Sequence, residues 1–171
     1  MKLFVIYIGG AHEQGLIELH DIRFVVANTI EDTYARLRKS WWGIPKSLHL
    51  DAWGILEYAD GYNINIVTTP PKPQEQKLYF VNLGGYDNGQ FTELHQNVFV
   101  VATDEAQAKR KAMQQISQWV TPHRDHLYQI ENLLNLNNLL ATDHYYLHIE
   151  KALTAKPFEF TCRYTPIGRT R

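Results

Sequence analysis

An internal repeat constrains this chain more than any other feature. Shifted by 75 positions, residues 2–27 lie on residues 77–102 without a gap. Lys2, Leu3, Gly9, Gly10, Glu18, Leu19, His20, Phe24, Val25, Val26 and Ala27 all recur, far beyond chance agreement. The match resumes with small changes of offset: Trp42-x-x-Pro45 answers Trp119-x-x-Pro122, and His49-x-Asp51 answers His123-x-Asp125. Further on, Asp60-Gly61-Tyr62-Asn63-Ile64-Asn65-Ile66 answers Asp143-His144-Tyr145-Tyr146-Leu147-His148-Ile149. Such self-similarity means one supersecondary unit used twice. The sequence predicts a first repeat over 1–69, a proline-rich linker over 70–75, a second repeat over 76–151, and a C-terminal strand with a basic tail over 152–171, all within one domain. Pro70-Pro71-Lys72-Pro73 makes the linker stiff and extended, because proline fixes φ and biases its predecessor away from helix.

Each copy reads as two strands, a helix and closing strands. Residues 3–8 are an apolar, β-branched-rich run ending in Gly-Gly, which predicts a strand buried on both faces. The same pattern returns in mid-chain at 78–83, so it is read as a strand and not as a secretory leader. A polar loop follows, with Asn88-Gly89 as a hairpin signal in the second copy. Second strands are expected over 17–27 and 92–102, with Asn28 or Thr29, and Thr103, capping the helix that comes next. Ile30, Tyr34, Leu37 and Trp41 form an apolar stripe at helical period; Ala108, Ala112, Ile116 and Val120 do so in the second copy. A turn at Asp60-Gly61 leads to a closing strand over 62–67. In the second copy an insertion with Leu127, Ile130, Leu133 and Leu134 reads as a helix over 127–140, and a last strand is expected over 158–164. The expected fold class is α+β: two tandem β-β-α-β(β) repeats related by a pseudo-twofold axis, with helices packed on a mostly antiparallel sheet.

Composition narrows the possible partners. A net charge of −1 and a pI near 6.7 argue against a strong electrostatic grip on nucleic acid or anionic lipid. Lys109-Arg110-Lys111 is the one tight basic run, and it falls in a helical pattern as a solvated face. No apolar stretch approaches the roughly 20 residues of a membrane helix. Expected partners therefore exclude nucleic acid and membrane, leaving a homo-oligomer or an unspecified small-molecule ligand. Cys162 is the single cysteine, so an intrachain disulfide and a cysteine-only zinc site are both excluded. A reducing, cytoplasmic location fits.

Several motifs together resemble a known family. They are the opening Lys-Leu strand ending in Gly-Gly, Glu18-Leu19-His20-Asp21-x-x-Phe24, Trp42-x-x-Pro45, His49-x-Asp51 and Asp60-Gly61-Tyr62. The combination resembles a bacterial family of conserved hypothetical proteins, domain-of-unknown-function family 1543. The resemblance covers nearly all of the first copy and the front of the second, where Gln96 stands for Asp21 and His144 for Gly61. It implies a bacterial, cytoplasmic protein and carries no activity with it.

Function, if legible, lies in the polar residues shared by both copies. Glu18 and His20 are two apart on an expected strand and so share a face, as do Glu93 and His95. In the first copy that face continues into Ile22, Phe24 and Val26, which puts the pair at the rim of the core. His49 with Asp51, and His123 with Asp125, offer a second pair at the same spacing. In one reading these groups converge on a divalent metal ion or act as acid and base. In the other, Glu18 bridges to His49, or His20 to Asp51, and the network only fixes how strand packs on helix. The chain is thus read as a small-molecule- or metal-binding module, with a non-catalytic oligomerisation or interaction protein as the alternative and an enzyme using His20 or His49 as base as a third option.

Other candidates carry weaker patterns. His144 and His148 share a face of the second closing strand, and His123 and His126 lie a helical turn apart, but the spacing matches no specific zinc motif. The Gly9-Gly10 and Gly84-Gly85 pairs are read as turns or bulges, because neither opens a helix that could hold a phosphate. Ser40, Ser47 and Ser117 lie in no nucleophile elbow, and Cys162 has no histidine near it in sequence. Trp41, Trp42, Trp53 and Trp119 are assigned to the helix–sheet core or the seam between copies.

Overall fold

A computed structural model describes residues 1–87, 89–115 and 128–168. The apolar run at the start of the chain forms β1 (Lys2–Gly10), which pairs with β2 (Leu19–Ala27). A 3-10 turn at Glu31–Thr33 leads into α1 (Tyr34–Ser40), and a second at Pro45–Ser47 leads into β3 (His49–Ile55). Two short strands, β4 (Tyr58–Ala59) and β5 (Tyr62–Val67), flank the expected turn. There Asp60 and Gly61 take φ of 49° and 87°, the left-handed pair a two-residue hairpin needs. The second half repeats the opening with β6 (Lys77–Tyr86), β7 (Glu93–Ala102) and α2 (Glu105–Gln114). It ends with β8 (Tyr128–Asn135), α3 (Leu136–Ala141), β9 (Tyr146–Lys151) and β10 (Phe160–Pro166). The result is α+β: three antiparallel sheets with short helices. Among the described residues no helix is long and apolar enough to cross a membrane.

The chain gathers into two units, residues 1–58 with 156–171, and residues 59–155. These do not follow the repeat boundaries. The closing strand β5 pairs in the second unit with β9, and β10 adds to the first unit beside β3. The first unit's sheet runs β10-β3-β1-β2 and the second unit's larger sheet runs β7-β6-β8. The two share a register: Lys2 faces Ala27 and Gly9 faces His20, as Lys77 faces Ala102 and Gly84 faces His95.

Each large sheet packs one face on its helix. In the first unit Phe4, Ile6 and Ile8 meet Val25, Leu37 and Trp41, with Ile30 and Tyr34 against them, so the predicted helical stripe is the buried one. Burying a leucine such as Leu37 fully contributes about 2 kcal/mol. In the second unit Tyr79, Val81 and Leu83 meet Ala108 and Ala112; Ile116 and Val120 lie outside the described residues. The face that carries His20, Ile22, Phe24 and Val26 is the one turned away from α1, where Leu3, Val5 and Phe24 are also buried. Strand β1 is therefore apolar on both sides, as expected.

Several expectations need correction. Residues 128–135 form a strand, not a helix; only Leu136–Ala141 is helical, and Leu127 lies outside the described residues. The cause is a β-bulge. Strand β8 shifts register between Asn82 and Leu83, so Glu131 is an extra residue and Ile130 and Leu133 both face the core, across from Leu83 and Val81. One inserted residue turns a period of two into a spacing of three, which imitates a helix. Helix α2 is capped by Asp104, whose Oδ1 accepts from the Gln107 amide at 2.8 Å, and not by Thr103. Gly9 and Gly10 lie within β1 and make no turn. Trp41 is buried and Trp53 is partly buried against the same core, but Trp42 is exposed. Trp119, Pro122, Asn88 and the tail 169–171 lie outside the described residues.

Candidate metal centre

The register of three adjacent strands assembles the site. Gly9, on the middle strand β1, faces His20 on β2 and His49 on β3. Both imidazoles rise from the sheet beside a residue with no side chain. A Cβ at position 9 would stand 2.8 Å from His49 Nε2, 2.8 Å from Asp51 Oδ2 and 2.9 Å from His20 Cδ2. The glycine thus leaves the space in which these groups meet. Glu18, the residue before β2, turns toward the same place, with its Oε2 3.7 Å from His49 Nε2. Among the described residues Glu18, His20 and His49 form a group whose ligand atoms all lie within 4.8 Å of one another.

His49 is oriented from behind. Its Nδ1 donates to the Ser47 carbonyl at 2.8 Å, which fixes the ring with Nε2 facing the site. The Tyr164 ring, from β10, lies 4.4 Å from the imidazole centre. With Tyr164 in place the His49 side chain is 1% exposed, and its Nε2 has no hydrogen-bond partner among the described residues. His20 is held differently, stacked on Tyr7 at 5.4 Å with nearly parallel rings, and 38% exposed. Burial, then the Asp51 and Asp21 carboxylates, push the Tyr7 phenol above its usual value.

Asp51 owes its place to a second bulge. The β1–β3 register shifts between Tyr7, which faces Ala52, and Ile8, which faces Leu50, leaving Asp51 as the extra residue. Leu50 and Trp53 then both pack on the helix side while Asp51 stays with His49. Its Oδ1 lies 3.4 Å from His49 Nε2 and its Oδ2 3.5 Å from His20 Nε2. Oδ2 is buried without a hydrogen-bond partner. Both structural pairings foreseen from sequence, Glu18 with His49 and His20 with Asp51, occur together at ion-pair distance.

The second unit brings fewer of its candidates together. Glu93 and His95 meet at 3.7 Å, and His95 Nδ1 faces Asn82 Oδ1 at 3.3 Å, where the first unit has Tyr7. His123, Asp125 and His126 lie outside the described residues. The residue that faces Gly84 on β8, as His49 faces Gly9, is Gln129, and Glu131 holds the bulge position of Asp51. In strand register, then, Gln129 and Glu131 stand where His49 and Asp51 do in the first unit. His144 is not on the closing strand: it lies in the turn between α3 and β9, with φ of 60°. His148, on β9, pairs with Glu150 at 3.4 Å.

Comparison with known proteins bears on the same segment. The family described as Domain of Unknown Function (DUF1543) matches residues 15–66, which carry Glu18, His20, His49 and Asp51. No curated protein matches the sequence. Among solved structures the chain is similar to the crystal structure of a protein Il1583 from Idiomarina loihiensis, at 32% identity over 97% of each chain, with a TM-score of 0.72. The chain belongs to the DUF1543 family. The DUF1543 match ends within β5 and begins after β1, so it leaves out Gly9 and Tyr164, two residues that shape the site. Sequence reading of this DUF1543 chain missed the same two, and Ser47 as well. Gly9 had a signal, since a pair of glycines at the end of a strand in both copies can mark close approach; Tyr164 had none. A cavity of about 540 Å³ in the first unit, lined by Trp53, Tyr58, Phe158 and Phe160 among others, does not include the Glu/His cluster.

Proposed function

We propose that the first unit binds a divalent transition-metal ion through Glu18, His20 and His49, with Asp51 beside both imidazoles. One observation carries the reading: the buried His49 Nε2 faces two carboxylates and has no hydrogen bond. A lone pair facing negative charge is repulsive unless a cation stands between them. Left unpaired, each buried polar atom costs about 1–3 kcal/mol. Two imidazoles and a carboxylate suit ions of the zinc, cobalt and iron class, and the Nδ1–carbonyl bond is the usual way a ligating imidazole is aimed. Glu18 is 53% exposed, so the ion would face solvent and keep a position for water or a small-molecule ligand.

The test is a titration of untagged, chelator-stripped protein with Co(II), read by visible absorption and by melting temperature. Expected are saturable d–d bands and a rise of several degrees, both lost in Glu18→Gln and His20→Asn. Absent bands, together with melting indifferent to metal and chelator, would overturn the reading. A proton in place of the metal is the second reading, favoured by the His20–Asp51 and His49–Glu18 contacts at ion-pair distance. Under it the same two variants lower stability in metal-free buffer and Co(II) changes nothing.

A further inference from the structure

The two units present the same scaffold with different donors. Resting on the metal reading of the first unit, we infer that the chain binds one ion, in that unit, and that the second unit carries a latent copy of the site that lacks one imidazole. The scaffold is retained at each step. Gly84 lies between its β7 and β8 neighbours as Gly9 lies between those on β2 and β3. Glu93 and His95 repeat Glu18 and His20, and the bulge recurs at the same register with an acidic residue, Glu131, at its position. The one donor that differs is at the place of His49, where β8 carries Gln129.

That single change removes the donor class the ion needs. A carboxamide is a far weaker donor than imidazole toward zinc-class ions, so the second site is reduced to Glu93 and His95. His95 has also been drawn into other bonds: it meets Asn82 at 3.3 Å and lacks the stacked tyrosine that holds His20. The edge differs too. In the first unit β10 borders β3 and lays Tyr164 on His49, whereas the described sheet of the second unit ends at β8.

Metal stoichiometry of the full chain, by Co(II) titration and elemental analysis, tests this directly. Wild type is expected to hold one equivalent, His20→Asn none, and His95→Asn and His123→Asn one each. Gln129→His is expected to raise the count to two. Two equivalents in wild type, a loss of the ion in His95→Asn or His123→Asn, or a folded Gln129→His protein that still holds one, would each overturn the inference while leaving metal binding intact. Zero equivalents in wild type would instead remove the metal reading and this inference with it. Should Gln129→His fail to fold by circular dichroism, the contrast between His20→Asn and His95→Asn decides.

Discussion

Gly9 and His49 carry the site in different ways. A methyl at position 9 would press on His20, Asp51 and His49; the part-exposed His20 and Asp51 can swing away, but the buried, bonded His49 must shift, so the ligand geometry is disturbed. Gly9→Ala is expected to weaken Co(II) binding by at least about tenfold, the scale on which disturbing the surroundings of a metal site is felt, and to lower the melting of metal-free protein less than His49→Ala does. Equal affinity in a Co(II) titration would refute that. His49 is buried, bonded through Nδ1 and covered by Tyr164, whereas His20 is more than a third exposed. His49→Ala should therefore cost about 2 kcal/mol or more in urea unfolding of metal-free protein, because it leaves a cavity and an orphaned carbonyl. His20→Ala should stay within about 0.5 kcal/mol, as exposed positions do. The identities of Glu18, His20, His49 and Asp51 were legible in the sequence as a repeated polar pattern. The function of Gly9 was not, since a glycine that makes room reads the same as one that makes a turn.

At the scale of elements, bulges and caps decide what pattern alone cannot. Leu50 and Trp53 in β3, like Ile130 and Leu133 in β8, are three apart yet share a face because one residue is extra between them. In β3 the extra residue is Asp51, so the irregularity that defeats the strand pattern is also what delivers a carboxylate to the site. Helix α2 offers a pH test. Its cap, Asp104, accepts bonds from the Gln107 amide and from Thr103, which hold its carboxyl below the ordinary 3.8. The folded state thus favours the ionised form, so the stability this contributes is present above 3.8 and is lost as pH falls through the lower folded value. The gap in urea midpoint between wild type and Asp104→Ala should be steady from neutral pH to about 3.8 and shrink from there as pH falls through the folded value. A gap that persists undiminished in strong acid would show that the charge plays no part.

For the whole molecule, the division into two units makes the consequence of metal binding local. An ion bound as proposed, between β2 and β3 across β1, would stabilise the first unit, which carries all its ligands, against opening. At a concentration one hundred times Kd the stabilisation is about 2.7 kcal/mol, or about hundredfold slower exchange for amides that open with that unit. Hydrogen exchange should therefore slow in Lys2–Gly10 and Leu19–Ala27 on adding Co(II), and stay unchanged in Lys77–Tyr86 and Glu93–Ala102. Equal protection in both pairs of strands would contradict a single ion in the first unit.

Read alone, the sequence determined what is local or repeated. The period of the apolar residues set β1, β6 and the face of α1, the 75-residue shift matched the shared register of β1–β2 and β6–β7, and Asp60-Gly61 dictated its turn. Tertiary structure decided which distant segments meet: β5 with β9, β10 beside β3, and Gln129 at the place of His49. The physical reason is that strand pairing is satisfied by generic backbone hydrogen bonds, which name no partner. Register, bulges and burial choose the partner, and they are properties of the assembled sheet.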